Sequence, residues 1–159
     1  MWPYTFLYQN LFPLQMEVVI MPTIDINYWA VLVAAFASYV IGALWYSPLL
    51  FGKAWMELMG FTEKDIQSAK KKGMAKKYGI MFVSTLVMSY VLAHVVDYTE
   101  STTVIAGAQA GFWIWLGFMA TTALGSVLWE NKPVKLYLIN VGHSLLGLLV
   151  MGGILAVWG

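Results

Sequence analysis

The sequence predicts an all-α integral membrane protein: four transmembrane helices, with a short amphipathic interfacial helix after the first. Of its 159 residues, 60% are hydrophobic and only 11% are charged, whereas a soluble domain carries about 25% charged residues. Uncharged intervals of 27, 19, 29 and 24 residues lie between Asp25 and Lys53, Lys77 and Asp97, Glu100 and Glu130, and after Lys135. A helix needs about 20 apolar residues to cross the hydrocarbon core, and lipid excludes open, unpaired backbone.

The intervals place the spans at Tyr28–Leu44, Tyr78–Val96, Val104–Leu128 and Leu136–Trp158. Together they form one predicted domain over residues 23–159. Residues 1–22 are apolar but are interrupted by Pro3, Pro13 and Pro22, and proline inside a helix costs about 3 kcal/mol. We therefore expect an N-terminal tail outside the domain, either an interfacial segment or sequence that precedes a translation start at Met21.

The first span ends in "GALWYSPLLFGKAW". Aromatic residues favour the membrane interface, and Pro48 disfavours helix at the residue before it, so a bend is expected there. Beyond the bend, apolar residues at helical spacing predict the interfacial helix: Phe51, Ala54, Trp55 and Leu58. An alternative is that this stretch also lines a site, through Trp45, Tyr46, Ser47 and Lys53.

Lysine placement predicts the orientation. Seven lysines lie between spans one and two, within residues 51–77, and two lie between spans three and four. Loops rich in lysine stay in the cytoplasm. We expect a multi-pass plasma-membrane protein with loop 51–77 cytoplasmic and both termini outside.

Composition excludes several classes of function. The chain has no cysteine, which excludes disulfides and thiolate chemistry. A net charge of +1 indicates no nucleic-acid partner, and no acidic residue lies at the centre of a span, which disfavours an ion-coupled pump. No motif predicts a metal site, a cofactor or catalytic residues.

Small residues recur every four positions on the first span, at Ala30, Ala34, Ser38 and Gly42, and again on the third, at Gly107 and Gly111. Such ridges let transmembrane helices approach closely. They predict packing inside the bundle or, alternatively, a seam between copies. Besides the lipid bilayer, the expected partner is a second copy of the chain or another membrane protein.

Polar residues within spans predict a cleft, because their burial in lipid is costly. Asn140, His143 and Ser144 share one face of the fourth span, and Thr122 and Ser126 share a face of the third. With the four residues of the bend they form the predicted polar cleft. His143 could relay protons or bind a ligand, or it could be a neutral side chain bonded across helices. Three functions remain open: a small transporter- or channel-like oligomer, a membrane scaffold or regulatory subunit, and an enzyme with His143 as base.

The opening of the predicted domain resembles the domain of unknown function 1761 family, small polytopic membrane proteins of prokaryotes. The similarity lies in the pattern WYSP-x-x-F-G-K-x-W, at Trp45, Tyr46, Ser47, Pro48, Phe51, Gly52, Lys53 and Trp55, and in the glycine-rich last span. The resemblance covers about residues 26–158. It implies four spans but no activity, since none is established for the family.

Overall fold

A computed structural model describes residues 25–71 and 73–159, and all regular structure in these ranges is helical. The predicted tail, residues 1–22, lies outside the described residues. The helices are α1 (Tyr28–Trp45), α2 (Gly52–Leu58), α3 (Glu63–Lys71), α4 (Ala75–Tyr98), α5 (Val104–Leu128) and α6 (Val134–Trp158). Within α5, α-helical turns flank a π-helical segment, Trp115–Ala120.

Four helices, α1, α4, α5 and α6, are long and apolar enough to cross a membrane. This confirms the predicted fold class, and each span lies within three residues of its predicted bounds. The largest difference is at α4, which begins at Ala75 and so includes Lys76 and Lys77 in its first turn. Lysine can extend its charged end toward the interface while its stem stays in apolar surroundings, so a helix can begin before its apolar run does.

Polar side chains begin the spans on the lysine-free side. The Asn27 side chain accepts hydrogen bonds from the backbone N–H groups of Trp29 and Ala30 at 3.0 and 3.2 Å, and Thr103 accepts one from Ala106 at 3.2 Å. These bonds satisfy amide groups that the first turn of a helix leaves unpaired.

The short helices lie between α1 and α4. Helix α2 coincides with the predicted interfacial helix, but its position at an interface stays a prediction. Helix α3 opens on a capping box in which Thr62 donates to the Asp65 carboxylate from its hydroxyl at 2.5 Å and from its backbone N–H at 2.9 Å. These bonds hold the pKa of Asp65 below its ordinary value. The helix does not run on into α4, because Gly73 adopts a positive φ of 76°.

Helix α6 is the centre of the bundle. It contacts each of the other three spans, most extensively α5 and then α1, and α4 packs mainly on α1. The core between them is built on Leu92, Leu148, Met151 and Leu155, each at most 2% exposed. Helices α4 and α5 touch each other little, although only residues 99–103 connect them. They therefore meet near that turn and diverge toward the lysine-rich side.

Candidate functional site: a cleft in the bundle

The divergence of α4 and α5 leaves a cleft of about 690 Å³. Helices α1 and α6 provide its floor, α4 one wall, and Met119 of α5 part of the other. The cleft lies in the half of the bundle nearer the lysine-rich loops. Its lining comprises Ser38, Tyr39, Gly42, Ala43, Tyr46, Tyr78, Met81, Ser84, Thr85, Met88, Met119, His143, Ser144 and Gly147.

The lining combines apolar surface with a few polar groups. Of the described residues that line the cleft, none carries a formal charge when His143 is neutral. Three of the four serine and threonine hydroxyl groups are already used, because Ser84, Thr85 and Ser144 bond to carbonyl oxygens of their own helices at 3.0, 2.9 and 3.0 Å. The volume falls in the range of about 300–1,000 Å³ that is typical of small-molecule sites.

His143 packs across the α1–α6 interface. Its ring lies 5.1 Å from that of Tyr46 and 6.4 Å from that of Trp45, between ring centroids. A Cβ atom added to Gly42 would lie 2.8 Å from His143 Nε2, so the missing side chain makes room for the imidazole. Nε2 is covered and has no hydrogen-bond partner among the described residues. An unpaired buried polar atom costs about 1–3 kcal/mol, which makes this ring unusual.

Ser38 lies one helical turn from Gly42 and is 4% exposed. Its hydroxyl has no hydrogen-bond partner in the part of the chain that the structure describes, in contrast to the other serine and threonine hydroxyl groups of the lining. A Cβ atom added to Gly147 would lie 2.7 Å from Ser38 Oγ. The absence of a side chain at Gly147 therefore leaves this hydroxyl open toward the cleft.

The aromatic residues of the bend anchor it to α6. Trp45 Nε1 donates to the carbonyl oxygen of Ile139 at 3.0 Å. The Tyr46 hydroxyl and Trp55 Nε1 donate to the same oxygen, Asn140 Oδ1, at 3.1 and 3.2 Å. Asn140 thus acts as the attachment point of α2 and does not line the cleft. Tyr46 belongs both to this anchor and to the cleft lining, whereas Trp45, Trp55 and Asn140 belong to the anchor only.

Two further residues of the bend serve other purposes. The Ser47 hydroxyl donates to the Leu44 carbonyl oxygen at 2.7 Å and accepts from the Leu49 N–H at 3.3 Å, which closes the turn around Pro48. Lys53 is exposed on α2. Neither residue lines the cleft.

Thr122 and Ser126, predicted to join the cleft from α5, also lie elsewhere. Thr122 is exposed and its hydroxyl bonds to the Phe118 carbonyl oxygen. Ser126 Oγ donates to the Ala123 carbonyl oxygen at 2.8 Å. The sequence predicted one cleft shared by these residues and His143, but neither hydroxyl bonds to the imidazole.

The π-helical segment explains this displacement. The face of α5 that packs on α6 contains Gly111 and Trp115. A regular helix would place residues 118 and 122 next on that face. The next buried residue is instead Ala120, which is 6% exposed, while Phe118 is 68% exposed. A π segment accommodates an extra residue, which rotates the helix beyond it by about 100°. Thr122 therefore turns away from α6.

The small-residue ridges lie inside the bundle in this single chain. Ala30 and Ala34 are fully covered. Gly107 packs so closely on Gly152 that a Cβ atom on either would overlap the other's carbonyl oxygen, and one on Gly111 would overlap that of Leu148. Trp115 Nε1 then bonds to the Val141 carbonyl oxygen at 2.8 Å. Backbone packing, this indole bond and a hydrogen bond from the Tyr137 hydroxyl to the Ala120 carbonyl oxygen at 3.1 Å join α5 to α6.

Comparison with known proteins gives one match. A family model described as protein of unknown function (DUF1761) matches residues 29–156. No curated protein and no solved structure gives a significant match. The matched residues include the whole WYSP-x-x-F-G-K-x-W pattern, whose aromatic residues bond to α6, and most of each span. This chain accordingly belongs to the DUF1761 family.

Proposed function

We propose that this protein is a small transporter- or channel-like membrane protein and that the cleft holds the molecule it moves. The observation that carries the proposal is a ligand-sized, mainly apolar cleft whose floor contains the unpartnered Ser38 hydroxyl and the ring of His143. Four different spans contribute to the lining, so a relative motion of helices would change access to it.

The proposal includes the orientation that the lysines predict. With residues 51–77 in the cytoplasm, both ends of the described chain lie outside, and the cleft opens toward the cytoplasmic half of the membrane. It also includes a homo-oligomer. Of the four spans, α5 is the least covered by the rest of the chain. In its apolar stretch 11% of the residues are buried, compared with 39% in α6. Native mass spectrometry from nanodiscs would measure the number of copies.

The two other candidate functions have less support. A scaffold would be favoured by an exposed ridge of small residues, whereas Ala30 and Ala34 are covered by other helices of the same chain. An enzyme that uses His143 as a base would be favoured by a carboxylate beside the imidazole. None of the described cleft-lining residues carries one.

Cysteine accessibility tests the proposal, because the chain has no native cysteine. Ser84→Cys places a thiol in the cleft, and Val83→Cys places one at almost the same depth on the outer face, where Val83 is 59% exposed. The reactive thiolate forms in water and is suppressed in apolar surroundings, so we expect Ser84→Cys to react about tenfold faster than Val83→Cys with a membrane-impermeant thiosulfonate.

The reagent is applied to the lysine-rich side of proteoliposomes, and the rate is followed by mass spectrometry. Ala43→Cys, on the floor of the same cleft, should behave as Ser84→Cys does. Equal, slow rates at all three positions would show that the cleft has no aqueous access, and the transport proposal would then be wrong.

A further inference from the structure

The lining of the cleft restricts the chemistry of its occupant. An ionised molecule would lose its hydration and find no opposite charge, since none of the described lining residues is charged with His143 neutral. Desolvating an unpaired charge is prohibitive in apolar surroundings. This lining therefore suits an uncharged occupant better than an ion.

Three methionines contribute to the apolar surface, Met81 and Met88 on α4 and Met119 on α5. Thioether side chains are flexible and polarizable, so they adapt to ligands of irregular shape. This surface suits an alkyl or aromatic body and does not require one particular shape.

The floor adds a polar requirement. Ser38 is 4% exposed, lines the cleft and has an unpartnered hydroxyl within the described chain. Ser38 and Gly147 face each other in one layer of the α1–α6 interface, and Gly42 and His143 face each other in the next. The second layer lies four residues, or about one turn, nearer the lysine-rich end on both helices. The Ser38 hydroxyl and the His143 ring are consequently about 6 Å apart along the helix axes.

Resting on the proposed function, we propose that the cleft binds an uncharged, mainly apolar molecule that carries a hydroxyl or carbonyl group. That group bonds to the Ser38 hydroxyl and reaches the neighbouring His143 ring, and the apolar body lies along the methionines. The same chemistry is found in a neutral lipid of the bilayer and in a small water-borne alcohol or ketone.

Histidine NMR provides the test. The chain has two histidines: His143 in the cleft, and His94, whose Nδ1 lies 2.9 Å from the Tyr90 carbonyl oxygen and which does not line the cleft. The protein is labelled with ¹⁵N-histidine in nanodiscs and titrated with 1-decanol, decane or decanesulfonate, which share one chain length. We expect decanol to shift the His143 ring signals at the lowest concentration, with His94 unchanged.

Two serine variants isolate the polar contact. Ser38→Ala removes the free hydroxyl, and we expect decanol binding to weaken about three- to tenfold, the value of one hydrogen bond, with decane unaffected. Ser144→Ala is the matched control, because Ser144 lines the same cleft but its hydroxyl is already bonded to Val141. It should leave both affinities unchanged, and unshifted His94 signals show that each variant is folded.

Equal affinity for the three probes, or equal effects of the two variants, would overturn the proposal. The transport proposal would survive that result, because the cysteine rates test aqueous access independently of ligand chemistry. Nanodiscs with and without diacylglycerol distinguish the sources. Competition with decanol identifies a lipid, its absence identifies a water-borne molecule, and in both cases decanol must bind more tightly than decane.

Discussion

Gly107 and Gly152 show how single residues fix the α5–α6 contact. Each lies against the backbone of the other helix, and without side chains the helices gain dispersion contacts that lipid cannot provide to the same extent. The spacing of Gly107 and Gly111 made a close helix contact predictable. The partner glycine on α6 was not predictable, because α6 contains several glycines and the sequence does not distinguish among them.

We expect Gly107→Ala to destabilise the bundle by about 1–3 kcal/mol or more, because the added methyl group meets backbone that cannot rotate away. Thermal unfolding in detergent is the measurement. The control is Gly79→Ala on α4, where a Cβ atom would meet nothing within 4 Å. Alanine has the higher helix propensity, so the control should match or exceed the parent protein. Equal melting temperatures for the two variants would contradict the close contact.

At the scale of elements, the bend between α1 and α2 owes its shape to aromatic side chains and one amide. The phenol of Tyr46 and the indole of Trp55 share the Asn140 oxygen, and Phe51 packs on Trp45 with ring centroids 4.6 Å apart. The sequence predicted the bend and α2 from Pro48 and the apolar spacing. It assigned Asn140 to a cleft because helical spacing says which face a residue occupies but not which neighbour meets that face.

We expect Asn140→Ala to release α2 from α6, because two donors lose their acceptor at a net cost of about 0.5–1.5 kcal/mol each. Trypsin should then cleave after Lys53 about tenfold faster, while cleavage after Lys64 in α3 provides an internal reference. Asn140→Asp retains acceptor oxygens and should cleave more slowly than Asn140→Ala. Unchanged cleavage at Lys53 in Asn140→Ala would mean that packing alone holds α2.

The π-helical segment marks the limit of what periodicity can predict. A regular period of 3.6 residues was assumed along all of α5, and it failed for Thr122 and Ser126, which follow the extra residue. Nothing in "WLGFMA" signals a π segment by composition alone. Its cause is tertiary, since Trp115 bonds to α6 and Ala120 is covered while Phe118 faces outward.

For the whole molecule, the distribution of charge predicted the number of spans and their approximate ends, because crossing lipid leaves few alternatives. The cleft could be anticipated only in part. Tyr46, His143 and Ser144 were expected to line a polar cleft. They line the cleft between the helices, and their role in a functional site stays a prediction. The α4 wall was missed, because Met81, Ser84 and Met88 show no distinctive pattern and depend on how far α4 diverges from α5.

The topology itself is testable with cysteines at Ser68, in α3, and Ser101, in the turn before α5. We expect Ser101→Cys to be labelled by an impermeant maleimide in intact cells and Ser68→Cys only after permeabilisation, because the lysine bias predicts that this loop stays inside. Ser68→Cys labelled from outside would reverse the orientation, and the cleft would then open to the exterior.

The dependence of α5 on α6 has a consequence for biogenesis. Helices leave the ribosome in chain order, so α1 and α4 can pair at once, whereas α5 enters the membrane before its main partner has been synthesised. Until α6 arrives, the glycine face of α5 is exposed to lipid, with little to hold it against α4. Residues 129–133 are a short connection, so insertion of α5 and α6 together as a hairpin would remove this vulnerable interval. Substitutions that delay α6 should expose α5 to membrane quality-control proteases, even when the completed bundle would be stable.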